Sequence, residues 1–128
     1  MRLRLKAFWL ILGFGFIAVL IFLSLTPDPP DTGTYHGMKL GHVSAYCWLM
    51  YWFGQIYRSR ASRYRLAGVF CMMGALLEYA QGLTDYRGFE YSDMLINAAG
   101  VVLGLLVLHT GLQNMLMRVE GLLLRSST

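Results

Sequence analysis

The chain has 128 residues, of which 56% are hydrophobic and only 14% charged, and its formal net charge is +4. Soluble domains carry about a quarter charged residues, so this composition argues against a water-soluble globule and for lipid as the solvent. Nucleic-acid binding is not expected either, because the 11 Lys and Arg fall in short blocks flanking hydrophobic runs instead of lining one face.

Four hydrophobic runs follow one another in what reads as a single domain over residues 1–128. The first, 7–25, is free of charge and long enough to cross about 30 Å of hydrocarbon as a helix. Arg2, Arg4 and Lys6 precede it as they would a signal peptide. The run is longer than a signal peptide's apolar core, however, and Ser24-Leu25-Thr26-Pro27 is not an A-x-A cleavage site. A retained helix is therefore expected, ended by Pro27, Pro29, Pro30 and Gly33. The second run, 40–57, is interrupted by His42 and the amide of Gln55. The third, 66–84, contains Glu78 and Gln81, and the fourth, 93–111, contains Asn97 and His109. Cys47 and Cys71 lie in different runs at different depths, which makes them poor disulfide partners, and neither has a second ligand at metal-binding spacing. Both are expected as buried thiols.

Orientation follows from the basic residues. The N-terminus (Arg2, Arg4, Lys6), the second loop (Arg58, Arg60, Arg63, Arg65) and the C-terminal tail (Arg118, Arg125) hold nine of them. The first and third loops hold two, Lys39 and Arg87. The positive-inside rule assigns the nine-residue side to the cytoplasm. The expected fold is thus all-α, a four-helix transmembrane bundle with both termini cytoplasmic.

In that topology three helices carry polar faces at the same, outer end. Lys39, His42 and Tyr46 are spaced i, i+3, i+7 on the second helix, and Glu78, Gln81 and Asp85 repeat that spacing on the third. Asp93 and Asn97 are i, i+4 neighbours at the start of the fourth, with Ser92 as the expected N-cap, and Arg87 lies in the loop before it. An ionisable group such as Glu78 inside a membrane is costly unless it faces partners, and such residues mark functional sites by default. Glu78 is expected to pair with Lys39, His42 or Arg87 and to share hydrogen bonds with Gln81 and Asn97. The N-termini of helices two and four add positive dipole ends, so Lys39 and Arg87 can hold an anion such as phosphate or merely neutralise Glu78 and Asp93. Tyr46 either donates a hydrogen bond to this site or belongs to an interfacial aromatic belt with Tyr35. His36 lies in the outer loop, within reach of assisting His42. Gly100 and Gly104 form a G-x-x-x-G packing motif, and His109, at the other end, reads as structural. No cofactor is expected. His42, Glu78 and Asp93 lack diagnostic metal-ligand spacing, so no metal is expected.

The ordered set K-x-x-H-x-x-x-Y (Lys39, His42, Tyr46), E-x-x-Q (Glu78, Gln81), Arg87 and D-x-x-x-N-x-x-G-x-x-x-G (Asp93, Asn97, Gly100, Gly104), with Ser24 and Pro27 upstream, resembles the VanZ-like family over roughly residues 24–104. Met38 stands where members often have an acidic residue. The resemblance implies a multi-pass protein of four helices in the bacterial cytoplasmic membrane. The family's namesake is associated with low-level resistance to the lipoglycopeptide teicoplanin, a property that is not carried over to this chain.

Two functional expectations follow. In the first, the outward-facing pocket uses Lys39, Arg87, Gln81, Asn97 and Tyr46 to bind a lipid head group, envelope precursor, lipoglycopeptide or partner protein, and the chain acts as an accessory envelope protein, in a hetero- or homo-oligomer. In the second, His42, Glu78 and Asp93 act as acid and base on a phosphate-bearing or lipid-linked envelope substrate. The first is preferred, since no Ser or Cys stands beside His42 as an activated nucleophile.

Overall fold

The computed structural model describes residues 2–27, 35–86 and 88–127, with only the helical backbone over 35–38. All regular structure among them is helical: α1 (Lys6–Leu25), α2 (Tyr35–Ile56), α3 (Arg60–Gly82), α4 (Tyr91–Val107), a 3-10 turn at Gly111–Asn114 and α5 (Met115–Ser126). The four expected helices are present, but their ends differ from the limits of the apolar runs. α2 begins five residues before residue 40, and α3 begins at Arg60 because the Ser59 hydroxyl accepts the Ser62 N–H as an N-cap. The α3 arginines therefore belong to a helix instead of a loop. α4 stops at Val107, and α5 was not expected at all.

Of the described helices, α1 alone is long and apolar enough to cross a membrane by length and composition. α4 and the Gly111–Ser126 segment meet that standard together but are bent by 79°. α2 and α3 have the length but carry too many polar groups. Cys47 and Cys71 are both free, though partly exposed.

Helices α1 to α4 pack against one another, most extensively α2 against α4. Two glycines set that contact. A Cβ on Gly100 would lie 2.6 Å from the Val43 carbonyl oxygen, and one on Gly104 would lie 2.7 Å from that of Cys47. Any larger residue would push the two backbones apart, so the G-x-x-x-G spacing works here as a close-packing surface. Gly54 of α2 leaves room for the Leu108 side chain.

An apolar core of Trp9, Tyr46, Leu49, Met50, Trp52, Phe53, Phe70, Val101 and Leu108 coexists with two features uncommon in a water-soluble protein. Large apolar residues stand exposed on every long helix, among them Ile11, Phe22, Leu40, Leu76, Leu95 and Leu106, while Gln55, Glu78, Gln81, Asn97 and Glu120 are buried.

At the end where α1 begins and α2 finishes, a polar chain runs through the aromatic core. The Trp52 indole donates to the Trp9 carbonyl oxygen, and the Trp9 indole donates to Glu120 Oε2 on α5. The Glu120 carboxylate also accepts the backbone N–H groups of Arg4 and Leu5 at 2.6 and 2.9 Å. It thereby takes up donors at the start of α1 that have no partner within the helix. Gln55 Oε1 does the same for the Leu116 N–H at the start of α5, and Arg63 Nε donates to the Gly54 carbonyl at the end of α2.

Candidate functional site

The opposite end, where α1 and α3 finish and α2 and α4 begin, carries the polar residues singled out in the sequence. Their positions form three tiers. In the outermost, the Lys39 ammonium donates to Asp93 Oδ1 and to Ser92 Oγ, each at 3.1 Å, and lies 3.7 Å from Glu90 Oε2. Lys39 and Asp93 are both about one-fifth exposed. Lys39 is thus an ion-pair partner of Asp93, not of Glu78, and the pair ties α2 to α4.

The middle tier is Glu78. Its side chain is 2% exposed, and Oε1 accepts the Glu90 backbone N–H at 2.8 Å. That bond draws the N-terminus of α4 onto α3 and partly offsets the cost of burying the carboxylate. Among the described residues Glu78 makes no ion pair. Among the described residues, Asp93, His42, Glu90 and Tyr46 are near enough to bear on it electrostatically. His42 itself is half-buried. Gln81, one turn further along α3, donates through Nε2 to the Ser24 carbonyl at 2.6 Å, and the Tyr86 hydroxyl donates to the Leu25 carbonyl. Both satisfy orphan carbonyls at the end of α1. Gln81 is therefore a clamp between α1 and α3.

The innermost tier is Tyr46, Gly74 and Asn97. Tyr46 is 1% exposed, so it lies in the interior and not in an interfacial belt. A Cβ on Gly74 would meet Asn97 Cβ at 3.2 Å, and Asn97 Nδ2 and Tyr46 Cε1 at 3.3 Å. Gly74 is one turn from Glu78 on the same face of α3, which brings the asparagine and the tyrosine beneath the glutamate. Asn97 is 3% exposed, and its Oδ1 is buried with no hydrogen-bond partner. An acceptor in that condition calls for a specific explanation.

Several expectations are corrected by this geometry. Asp85 does not continue the Glu78–Gln81 face. The helix ends at Gly82 in a pair of tight turns, Leu83 N–H to Ala80 O and Thr84 N–H to Gln81 O, and Asp85 is exposed beyond them. Ser92 is not the N-cap of α4. That position is Glu90, without a side-chain capping bond, and the Ser92 hydroxyl faces Lys39 and Glu90. Arg87 and the side chain of His36 lie outside the described residues. His109 is exposed at the far end, with Nδ1 2.7 Å from the Leu105 carbonyl. Among the described residues no group of three His, Cys, Asp or Glu is placed to hold a metal ion.

Sequence reasoning did not single out Glu120, Gln55 or Glu90 as structural polar residues. A signal for Glu120 exists, since it repeats Leu116 at i+4 on the face that α5 buries. Compared with protein-family models, with curated proteins and with solved structures, the chain finds no match.

Proposed function

We propose that the chain is an integral membrane protein of the VanZ-like type, crossing the bilayer with α1 to α4 and keeping both termini in the cytoplasm. The many large apolar side chains left exposed on α1 to α4, with Gln55, Glu78, Gln81 and Asn97 buried, support this. So does helix length, since the 22 and 23 residues of α2 and α3 span about 33 Å at 1.5 Å per residue. Their polarity is compatible with this, because Tyr46, Gln55, Glu78 and Gln81 are buried against other helices, while Arg60, Arg63 and Arg65 cluster in the first turns of α3, at the basic end. With the basic segments inside, the three-tiered site lies at the outer leaflet.

That site binds a ligand presenting hydroxyl or ammonium donors, as on the head group of a lipid or lipid-linked envelope precursor, and the chain serves as an accessory envelope protein. The unpartnered Asn97 Oδ1 carries this reading. A buried acceptor left unsatisfied costs about 1–3 kcal/mol, which a donor on the ligand would recover. The described ionic groups fit the same chemistry: Glu78, Glu90 and Asp93 oppose Lys39, and Lys39 is already bound to Asp93, so holding an anion there requires that pair to open. The nearness of His42 to Glu78 favours a second reading, a membrane-embedded acid–base enzyme acting on the same class of ligand.

The test is to purify wild type, Glu78→Gln and Asn97→Leu from bacterial membranes and compare the lipids that co-purify. A donor-bearing species enriched in wild type and lost from both variants is expected. Identical lipid profiles in all three would defeat the binding reading. Incubating that species with wild type and following its conversion decides between binding and catalysis, with His42→Ala as the control.

A further inference from the structure

The basic end of the molecule holds a cavity that the proposed site does not use. Arg2, Leu3 and Lys6 from the start of the chain, with Ile56 at the end of α2 and Arg58 just beyond it, line about 510 Å³. Three cations and two aliphatic side chains make it both charged and greasy. The Lys6 ammonium sits 4.8 Å from the centre of the Tyr57 ring, a cation–π contact. Tyr57 in turn lines a largely apolar cleft of about 330 Å³ between α1, α2 and α3, walled by Phe14, Ile17, Phe53, Leu66, Val69 and Phe70, with Ser62 and Arg65 also lining it. The Lys6–Tyr57 contact thus joins a residue of the charged cavity to a residue of the largely apolar cleft.

Charge balance around this place is one-sided. Segments 1–6, 58–65 and 115–128 hold nine Lys and Arg and a single acid, Glu120. Glu120 is already occupied by the Arg4 and Leu5 N–H groups and the Trp9 indole. Arg58 reaches the Gln113 carbonyl and Asn114 Oδ1, both neutral acceptors. Arg63, close enough to Arg58 for their charges to repel, keeps Nη2 buried without a partner. No ion pair forms to Arg2, Lys6, Arg58 or Arg63 among the described residues. Such a cluster lowers its own repulsion by holding an anion.

We infer that this cavity and cleft form a binding site for an anionic phospholipid of the inner leaflet, with the head-group phosphate among Arg2, Lys6 and Arg58 and an acyl chain along the Phe14–Phe70 cleft. Basic pockets between membrane helices on the cytoplasmic side recognise such head groups. An amphiphile fits better than a free anion because the Lys6–Tyr57 contact links the charged cavity to a largely apolar cleft. The inference rests on the membrane reading above but not on the outer site.

The experiment uses the full chain in non-ionic detergent and native mass spectrometry with phosphatidylglycerol and phosphatidylcholine of identical acyl chains. Wild type is expected to retain phosphatidylglycerol at least tenfold better. Arg2→Gln with Lys6→Gln, both clear of the Arg58 bonds to the Gly111–Asn114 turn, is expected to reduce that preference roughly fivefold per cation removed. Val69→Trp, which fills the cleft, is expected to weaken retention of both lipids. Equal retention of the two lipids by wild type, or an unchanged preference in the double variant, would overturn the site. Displacement of phosphatidylglycerol by an equal concentration of inorganic phosphate, or no effect of Val69→Trp, would overturn its assignment to a lipid. Release of the chain from membranes by alkaline carbonate would sink the membrane reading separately, since lipid preference is measured in detergent.

Discussion

Replacing Glu120 by Gln isolates the contact that fastens α5 to the start of α1. The carboxylate accepts three donors at 2.6–2.9 Å, two of them on Oε2. The substitution keeps one acceptor oxygen and turns an NH2 group toward donors, so at least one buried donor loses its partner. Hydrogen bonds to a charged group contribute about 1.5–3 kcal/mol each. Glu120 is covered but lies at the end of the helices, where water screens part of that, and a loss of about 2–3 kcal/mol follows. Hydrogen exchange of the amides in α5 is the assay. At about 1.4 kcal/mol per tenfold, their exchange in Glu120→Gln should be faster by roughly 30- to 150-fold, with little change in Leu49–Phe53. Acid should act in the same direction. Burial alone pushes the Glu120 carboxyl up, but the Arg4 and Leu5 N–H groups, the Trp9 indole and the Arg4 charge outweigh it and hold its pKa below the ordinary carboxylate value. A group depressed in the folded state contributes stability above its unfolded pKa, about 4.3, and loses it as pH falls through the folded value. Protection of α5 should therefore fall below about pH 4 in wild type and stay flat there in the variant. Unchanged exchange in α5, or equal acceleration throughout the chain, would refute the reasoning.

Other predictions follow from the same contacts. Gly100→Ala places a methyl group against the Val43 carbonyl and should cost about 1–3 kcal/mol, seen as a lower thermal midpoint in detergent. Gly68→Ala, with nothing within 4 Å, should raise the midpoint slightly through helix propensity. Asn97→Leu removes the unpartnered acceptor and should stabilise the ligand-free chain by about 1 kcal/mol or more while abolishing ligand retention, as read by thermal midpoint and co-purification together. Lys39→Met should destabilise by about 1–2 kcal/mol, and Lys39→Met with Asp93→Asn should recover much of it, a coupling that a double-mutant cycle in chemical denaturation measures.

Legibility in the sequence followed the physics of each feature. Helices were readable because an apolar run of about 18 residues has few other uses. Their ends were not, because hydropathy reports the solvent while helix termini are set by local hydrogen bonds, as Ser59 and the turn after Gly82 demonstrate. Spacing placed Lys39, His42 and Tyr46 at one end of α2, and Asp93 and Asn97 at the same end of α4. It did not reveal which charge pairs with which: Lys39 chose Asp93, and Glu78 took a backbone N–H from Glu90. α5 escaped notice because a tail with Arg118 and Arg125 reads as a solvated cytoplasmic segment. The Glu120 bonds to Arg4, Leu5 and Trp9 and the Leu116 N–H bond to Gln55 reveal that its other face is buried.

Accessibility from outside the cell tests the membrane account most directly. In a Cys47→Ser, Cys71→Ser background, Asp85→Cys reports the polar end and Ala61→Cys the basic end, and both positions are exposed. With a membrane-impermeant maleimide, intact cells should label position 85, and position 61 only after permeabilisation. Labelling of position 61 in intact cells, or recovery of the chain in the soluble fraction, would contradict it.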